Sequence, residues 1–158
     1  MKMRRMRQTD LPTILKIENA NFPYPWTHEE FLNTLKLQDV SCFVVEIDSK
    51  VVAYIVYEEI ASAECFHILN LAVSPDWQKQ GIGRFILKKL MSKPSWLSIS
   101  LLVSDRNLNC HLFLKKMKFE AFSVAKDYFG DDHDAYEFMY LRPMDDKKNF
   151  NDEACTEI

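Results

Sequence analysis

The chain has 158 residues, of which 47% are hydrophobic, 13% aromatic and 27% charged. That mix excludes wholesale disorder, and the length suffices for one domain to bury a core without staples. A net charge of −3 excludes a protein that coats nucleic acid, and no direct nucleic-acid contact is expected.

Charge is unevenly spread: from Asp127 onward ten acids face three bases, so residues 1–126 carry +4. The basic start holds Lys2, Arg4, Arg5 and Arg7, but no apolar run follows it as in a signal peptide, and none is long enough to span a membrane. Cys42, Cys65, Cys110 and Cys155 show no CxxC spacing, so reduced thiols in a cytoplasmic protein are expected, with no metal.

In chain order, Met3–Arg7 reads as a short edge strand. Asp10, with Pro12 following, reads as the start of a helix whose apolar positions are Ile14, Leu15, Ile17 and Ala20. The corner FPYPWT comes next. Thr27 and Glu30 form a capping-box pattern for a helix with Phe31, Leu32 and Leu35, and Trp26 stands where a hydrophobic staple would. Packing at the helix start is one reading of Trp26; substrate contact is the other.

Ser41–Ile47 and Val51–Tyr57 are strand runs separated by the hairpin signal Asp48-Ser49-Lys50. Cys65–Ser74 is a third strand, closed by Pro75. Gly81–Met91 is helical, Leu97–Val103 a strand and Asn107–Met117 a helix. Phe119–Lys126 and Tyr136–Leu141 are strands around the acidic loop YFGDDHD. Residues 1–143 thus read as a single domain, and 144–158 as a polar, mobile tail. The order β-α-α-β-β-β-α-β-α-β-β predicts an α/β (α+β) fold, a mixed sheet with helices packed on it.

The chain contains three glycines, and two of them, Gly81 and Gly83, flank a single residue at the mouth of a helix. A strand, a bend and a glycine-opened helix build an anion site from backbone amides: the first helical amides lack internal partners, and the dipole adds positive charge. Lys79 and Arg84 add mobile charge nearby. The third glycine of a dinucleotide fingerprint is missing, and no GK[ST] follows.

The longer string is more specific. Gln78-x-x-Gly81-x-Gly83 after LAVSP resembles the acyl-CoA motif of the GCN5-related N-acetyltransferases. FPYPWT, NLAVSPDWQKQGIGR, Asn107 after a strand, KKMKF and YF…HDAYEFM are similar to the bacterial ribosomal-protein-alanine N-acetyltransferases, from about Met1 to Met144. The resemblance implies a mostly antiparallel sheet of about seven strands flanked by about four helices, with a splayed central strand pair. It implies acetyl-CoA as co-substrate, with Leu71, Ala72 and Val73 along the pantetheine arm and acetyl group. Gln78, Lys79, Gln80, Gly81, Ile82, Gly83 and Arg84 would lie on the pyrophosphate, and Asn107 at the pantetheine end. Tyr128 and Phe129, with Asp131–Asp134, match the family's peptide-side loop, where the acids would suit a basic peptide; a plain solvated turn is the other reading.

The family's proton carriers are a glutamate on the strand before Asn107 and a tyrosine on the following helix; those positions hold Leu102 and Leu114. The helix step that usually reads GF is Lys118-Phe119. His67, on the strand face shared by Leu69, Leu71 and Val73, is the candidate substitute; the other reading is an ordinary packed core histidine. At about 3.3 Å per residue it lies about 20 Å from Val73, on the side from which an amine enters, so a water would relay the proton. Glu64 and His111 are weaker candidates.

An α-amine has a pKa near 7.8 against about 10.4 for lysine, so at pH 7.4 roughly a quarter of α-amines are neutral against about 0.1% of lysines. A site with a weak base therefore favours an α-amine. The expected function is N-acetyl transfer to a protein N-terminus, most specifically of a ribosomal protein, by a monomer or weak dimer. The alternatives are transfer to a small amine or polyamine, and a CoA-binding module that has lost catalysis.

Overall fold

The computed structural model describes residues 1–128 and 133–143; the tail reading for 144–158 and the Phe129 assignment lie outside these residues. Among the described residues, seven strands and four α-helices give a mixed α/β architecture with an open, mostly antiparallel sheet. The described residues fall into two compact units. One takes Met1–Ile60 and Phe66–Leu90, the other Ala61–Cys65 and the chain from Met91 onward.

In the first unit the strands are β1 (Lys2–Arg5), β2 (Val40–Ile47), β3 (Lys50–Ile60) and, from Phe66 onward, β4 (Cys65–Val73), in that order across the sheet. The β2–β3 hairpin is tighter than the three-residue signal suggested, because Lys50 pairs with Ile47. Asp48 and Ser49 close it alone, at φ 48° and 63°. Two successive positive φ values match the right-handed twist of the flanking strands, which is why short polar residues stand there.

Helix α1 (Leu11–Asn21) starts at Asp10, but Asp10 does not cap it. The carboxylate instead accepts from the Arg7 amide at 2.7 Å and from both Arg4 terminal nitrogens at 2.7 and 2.9 Å. Arg4 also reaches Glu46 at 2.6 Å, tying the edge strand to its neighbour. The Arg4 guanidinium holds the Asp10 carboxyl below the usual carboxylate range. A depressed folded-state pKa stabilises above the unfolded value near 3.9, and that contribution is lost as pH falls through the folded value. Asp10→Asn is therefore expected to cost about 1–2 kcal/mol at pH 7, the scale of a charged hydrogen bond. The loss should shrink as pH falls below 4, which urea melts at several pH values would check.

The inward face of α1 differs from the expected stripe. Ala20 faces solvent and Glu18 is buried, beside Leu11, Ile14 and Ile17. Helix α2 (His28–Thr34) begins as its sequence predicts: the Thr27 hydroxyl accepts from the Glu30 amide at 3.2 Å, and the Glu30 carboxylate accepts from the Thr27 amide at 2.6 Å. Trp26 staples onto Phe31 with ring centroids 5.3 Å apart, and Phe31 meets Tyr54 edge-on at 5.6 Å. Phe31 and Tyr54 belong to the core formed with Met6, Leu11, Ile14, Ile17, Cys42, Val44, Val56 and Ala72, and Trp26 packs against it. Helix α3 (Ile82–Met91) buries Ile82, Ile86, Leu87 and Leu90.

In the second unit, β5 (Ser98–Ser104), β7 (Ala135–Leu141) and β6 (Glu120–Ala125) pair in that order, antiparallel. Helix α4 (Leu108–Lys116) ends with Lys118 at φ 65°, so lysine adopts the left-handed conformation at the step where glycine was expected. Trp96, Phe119 and Tyr140 pack together, and the Arg142 guanidinium lies 4.2 Å over the Trp96 ring while bonding the carbonyls of Met91, Lys93 and Pro94.

Candidate functional site

Strand β4 sorts its side chains by alternation. Phe66, Ile68, Asn70 and Ala72 are buried, while His67, Leu69, Leu71 and Val73 share the more accessible face. The chain then leaves the sheet at Ser74, whose amide donates to the Val52 carbonyl at 2.8 Å. Pro75–Trp77 makes one 3-10 turn, and the loop to α3 follows.

That loop is built from backbone conformations that side chains disfavour. Lys79 has φ 59° and Gly81 φ 85°. A β-carbon built on Gly81 meets nothing within 4 Å, so no protein atom explains the glycine. The positive φ does, together with the open space a ligand would fill. The first helical hydrogen bond runs from the Phe85 amide to the Gly81 carbonyl at 2.9 Å. The amides of Ile82, Gly83 and Arg84 precede it and lack intrahelical acceptors by construction. Lys79 and Arg84 are exposed beside them. Curled amides at a helix N-terminus with two mobile cations suit a diphosphate, so the residues fit the pyrophosphate of an acyl-CoA.

Gln78 behaves differently from the expectation. Its side-chain amide donates to the Val73 carbonyl at 3.1 Å and to the Asn21 Oδ1 at 2.9 Å. Asn21 Nδ2 donates to the same carbonyl at 3.2 Å. Gln78 thus clamps the loop to the end of β4, and Asn21, which no sequence motif marked, completes the clamp. Gln80 closes the loop on itself through the Asp76 carbonyl at 3.0 Å.

The corner before α2 is organised by another residue that sequence reading missed. Glu18 is 1% exposed. Its Oε1 accepts from the Trp26 amide at 2.8 Å and from Asn70 Nδ2 at 3.0 Å, and its Oε2 accepts from the Tyr54 hydroxyl. Burial pushes the Glu18 carboxyl above its ordinary value, opposed by the Trp26 amide and Asn70. The available signal was a lone acid at the i+4 position from Ile14 and i+7 from Leu11, on the stripe that must face the core. Trp26 is half-buried on Phe31, as the staple reading has it.

In the second unit, Asn107 caps α4, its Oδ1 accepting from the Cys110 amide at 3.1 Å. Leu102 is partly accessible on β5, and Leu114 is 1% exposed within the core. Neither residue carries a titratable group. His111 directs Nε2 at the Ser104 carbonyl, 2.9 Å away, and lies edge-on to Tyr136 and Phe138, which describes a packing residue. Glu64 is an exposed turn residue at φ 45°, its carbonyl accepting from Leu97 and Ser98. Tyr128 is 55% exposed, and the adjoining turn is pinned by Lys126 to Asp134 at 2.6 Å. The thiols of Cys42 and Cys110 are pushed up to about 11 by burial, so neither is a nucleophile at neutral pH.

A strand ending in a clamped bend, followed by a left-handed loop that opens a helix, is an arrangement that suits the diphosphate of an acyl-CoA. Residues 11–119 match the acetyltransferase (GNAT) family, and the chain belongs to it; it is an acetyl-CoA-dependent N-acetyltransferase. The N-alpha-acetyltransferase of Sulfurisphaera tokodaii is 26% identical over 85% of this chain and 89% of its own length. The [ribosomal protein bS18]-alanine N-acetyltransferase of Escherichia coli is 24% identical over 78% of this chain and 84% of its own. The crystal structure of Arabidopsis thaliana NAA60 in complex with acetyl-CoA shares the fold. Its TM-score is 0.77 at 18% identity, over 89% of this chain and 99% of that one.

Proposed function

We propose that the protein transfers the acetyl group of acetyl-CoA to the N-terminal α-amine of a protein, and that a ribosomal protein is the acceptor. The observation that carries this reading is the pair Leu102 and Leu114, standing where the resemblance led us to expect a glutamate and a tyrosine. Without those carriers the reaction depends on how much amine is already neutral. The pKa difference of about 2.6 units between an α-amine and lysine amounts to about 3.5 kcal/mol of deprotonation in favour of the α-amine. Relatives named for α-amine and ribosomal-alanine acetylation, matched over most of their length, support the same choice.

In this reading the amides of Ile82, Gly83 and Arg84, with Lys79 and Arg84, hold the pyrophosphate, and Leu71–Val73 direct the arm and acetyl group. Asn107 would meet the pantetheine end, and Trp26, Tyr128 and Phe129 the peptide. The neutral amine attacks the thioester carbon directly. The oxyanion that forms is stabilised by backbone amide donors near Val73, and collapse expels the CoA thiolate. His67, about 20 Å up the strand from Val73, would take the amine proton through a chain of waters on the side from which the amine enters.

CoA release over a panel of N-terminal peptides tests the acceptor, with spermidine and an Nα-blocked lysine peptide as controls. The highest kcat/KM is expected for an alanine-initiated ribosomal N-terminus. Faster release with spermidine than with any peptide would contradict the reading.

A further inference from the structure

The corner Phe22–Thr27 contains two prolines, Pro23 and Pro25, which have no amide proton to offer. Both flanks of the corner hang from one residue. The Phe22 amide donates to the backbone carbonyl of Glu18 at 3.0 Å, and the Trp26 amide donates to its carboxylate at 2.8 Å. The same carboxylate takes Asn70 Nδ2 at 3.0 Å. Asn70 is the residue before Leu71 on β4, with its side chain on the buried face. The Tyr54 hydroxyl fills the remaining position and also lies 3.0 Å from Asn70 Oδ1. A carboxylate this deeply buried is costly unless every lone pair is used, so its retention calls for a reason beyond packing.

We propose that Glu18 is the positioning residue of the acceptor side: its buried carboxylate fixes the FPYPWT corner in register with the strand that carries Leu71–Val73. This rests on the reading above, in which the corner meets the acceptor peptide. Glu18 touches no reacting atom. It sets where Trp26 stands relative to β4, and a displacement of about 1 Å at such a point can cost on the order of 100-fold in rate.

Donor and acceptor accounting separates this role from a proton-carrying one. In Glu18→Gln, the amide oxygen still accepts from the Trp26 amide and from Asn70. The new amide nitrogen donates to the Tyr54 oxygen, and the Tyr54 proton turns to Asn70 Oδ1. Every group keeps a partner, so glutamine preserves the corner. Glu18→Ala leaves the Trp26 amide, Asn70 and Tyr54 without theirs.

The test combines acceptor kinetics, acetyl-CoA affinity by calorimetry and hydrogen exchange of the segment 22–27. For Glu18→Ala, the acceptor KM is expected to rise at least ~10-fold, with acetyl-CoA affinity within about twofold of wild type and faster exchange at Trp26 and Thr27. Glu18→Gln is expected to restore both KM and exchange to near wild type. If the alanine variant does not fold, Asn70→Ala stands in for it: it removes one of the carboxylate's three partners, so changes in the same direction and of smaller size are expected. An unchanged acceptor KM in the folded alanine variant overturns the proposal. So does a glutamine variant as impaired as alanine, because the charge would then be what matters. Should the wild-type protein turn over no acceptor at all, the functional reading fails, and exchange decides the positioning claim alone: faster exchange in alanine with rescue by glutamine supports it, and unchanged exchange overturns it.

Discussion

Gly81→Val is expected to weaken acetyl-CoA binding about 30- to 100-fold, measured by calorimetry on a protein whose melting temperature changes little. At φ 85° a β-branched residue is strained by about 2–3 kcal/mol, and each 1.4 kcal/mol is tenfold in affinity. The strain is escaped only if the loop relaxes, and relaxation turns the amides of Ile82, Gly83 and Arg84 away from the diphosphate. The loop is exposed and a β-carbon at this position meets open space, so the fold should tolerate the change. Gly81→Ala should fall between the two. An unchanged dissociation constant would mean that the diphosphate does not lie on this loop.

His67→Ala is expected to lower kcat/KM about 100-fold at pH 7, the lower end of what a positioned acid or base contributes. Acetyl-CoA affinity should be unchanged, since His67 lies six residues before Val73 along β4. The deficit should shrink as pH rises toward and past the amine's own pKa, because the amine then arrives neutral and needs no acceptor for its first proton. A variant that keeps full kcat/KM from pH 6 to 9 would remove His67 from the mechanism and leave solvent as the acceptor.

The part of the molecule that could be read in advance follows from local chemistry. The capping box at Thr27 and Glu30, the staple at Trp26 and the face shared by His67, Leu71 and Val73 each depend on residues within a few positions of one another. The glycine pair was visible for the same reason, although sequence did not show that Lys79 would take a positive φ as well. The Glu18 network was hidden because its partners stand 8, 36 and 52 residues away. An acid on a helix reads as solvated until the strands that cover it are known. Gln78 and Asn21, 57 residues apart, were obscure for the same reason, and the clamp they form moved Gln78's side chain from the expected ligand contact to the end of β4. Asp10 was legible as a helix start, yet its charge went to Arg4, a choice that only the fold could reveal.

The structural roles of Gln78 and Asn107 refine the cofactor half of the site. Gln78 uses its side-chain nitrogen in the clamp, so its contribution is expected to be the shape of the loop; Asn107 Oδ1 accepts from the Cys110 amide, so in the proposed reading its Nδ2 would meet the pantetheine end. In the same reading the backbone amides of Ile82, Gly83 and Arg84 and the exposed cations Lys79 and Arg84 would meet the pyrophosphate.

Which amine receives the acetyl group is the central claim, and a single peptide decides it. A synthetic ribosomal N-terminal peptide with a free α-amine and one internal lysine would be incubated with acetyl-CoA at pH 7.4, and the product sequenced by mass spectrometry. The account predicts acetyl on the α-amine, with about 1% or less on lysine, as the difference in neutral amine requires. Equal labelling of both positions, or acetyl on lysine alone, would contradict it.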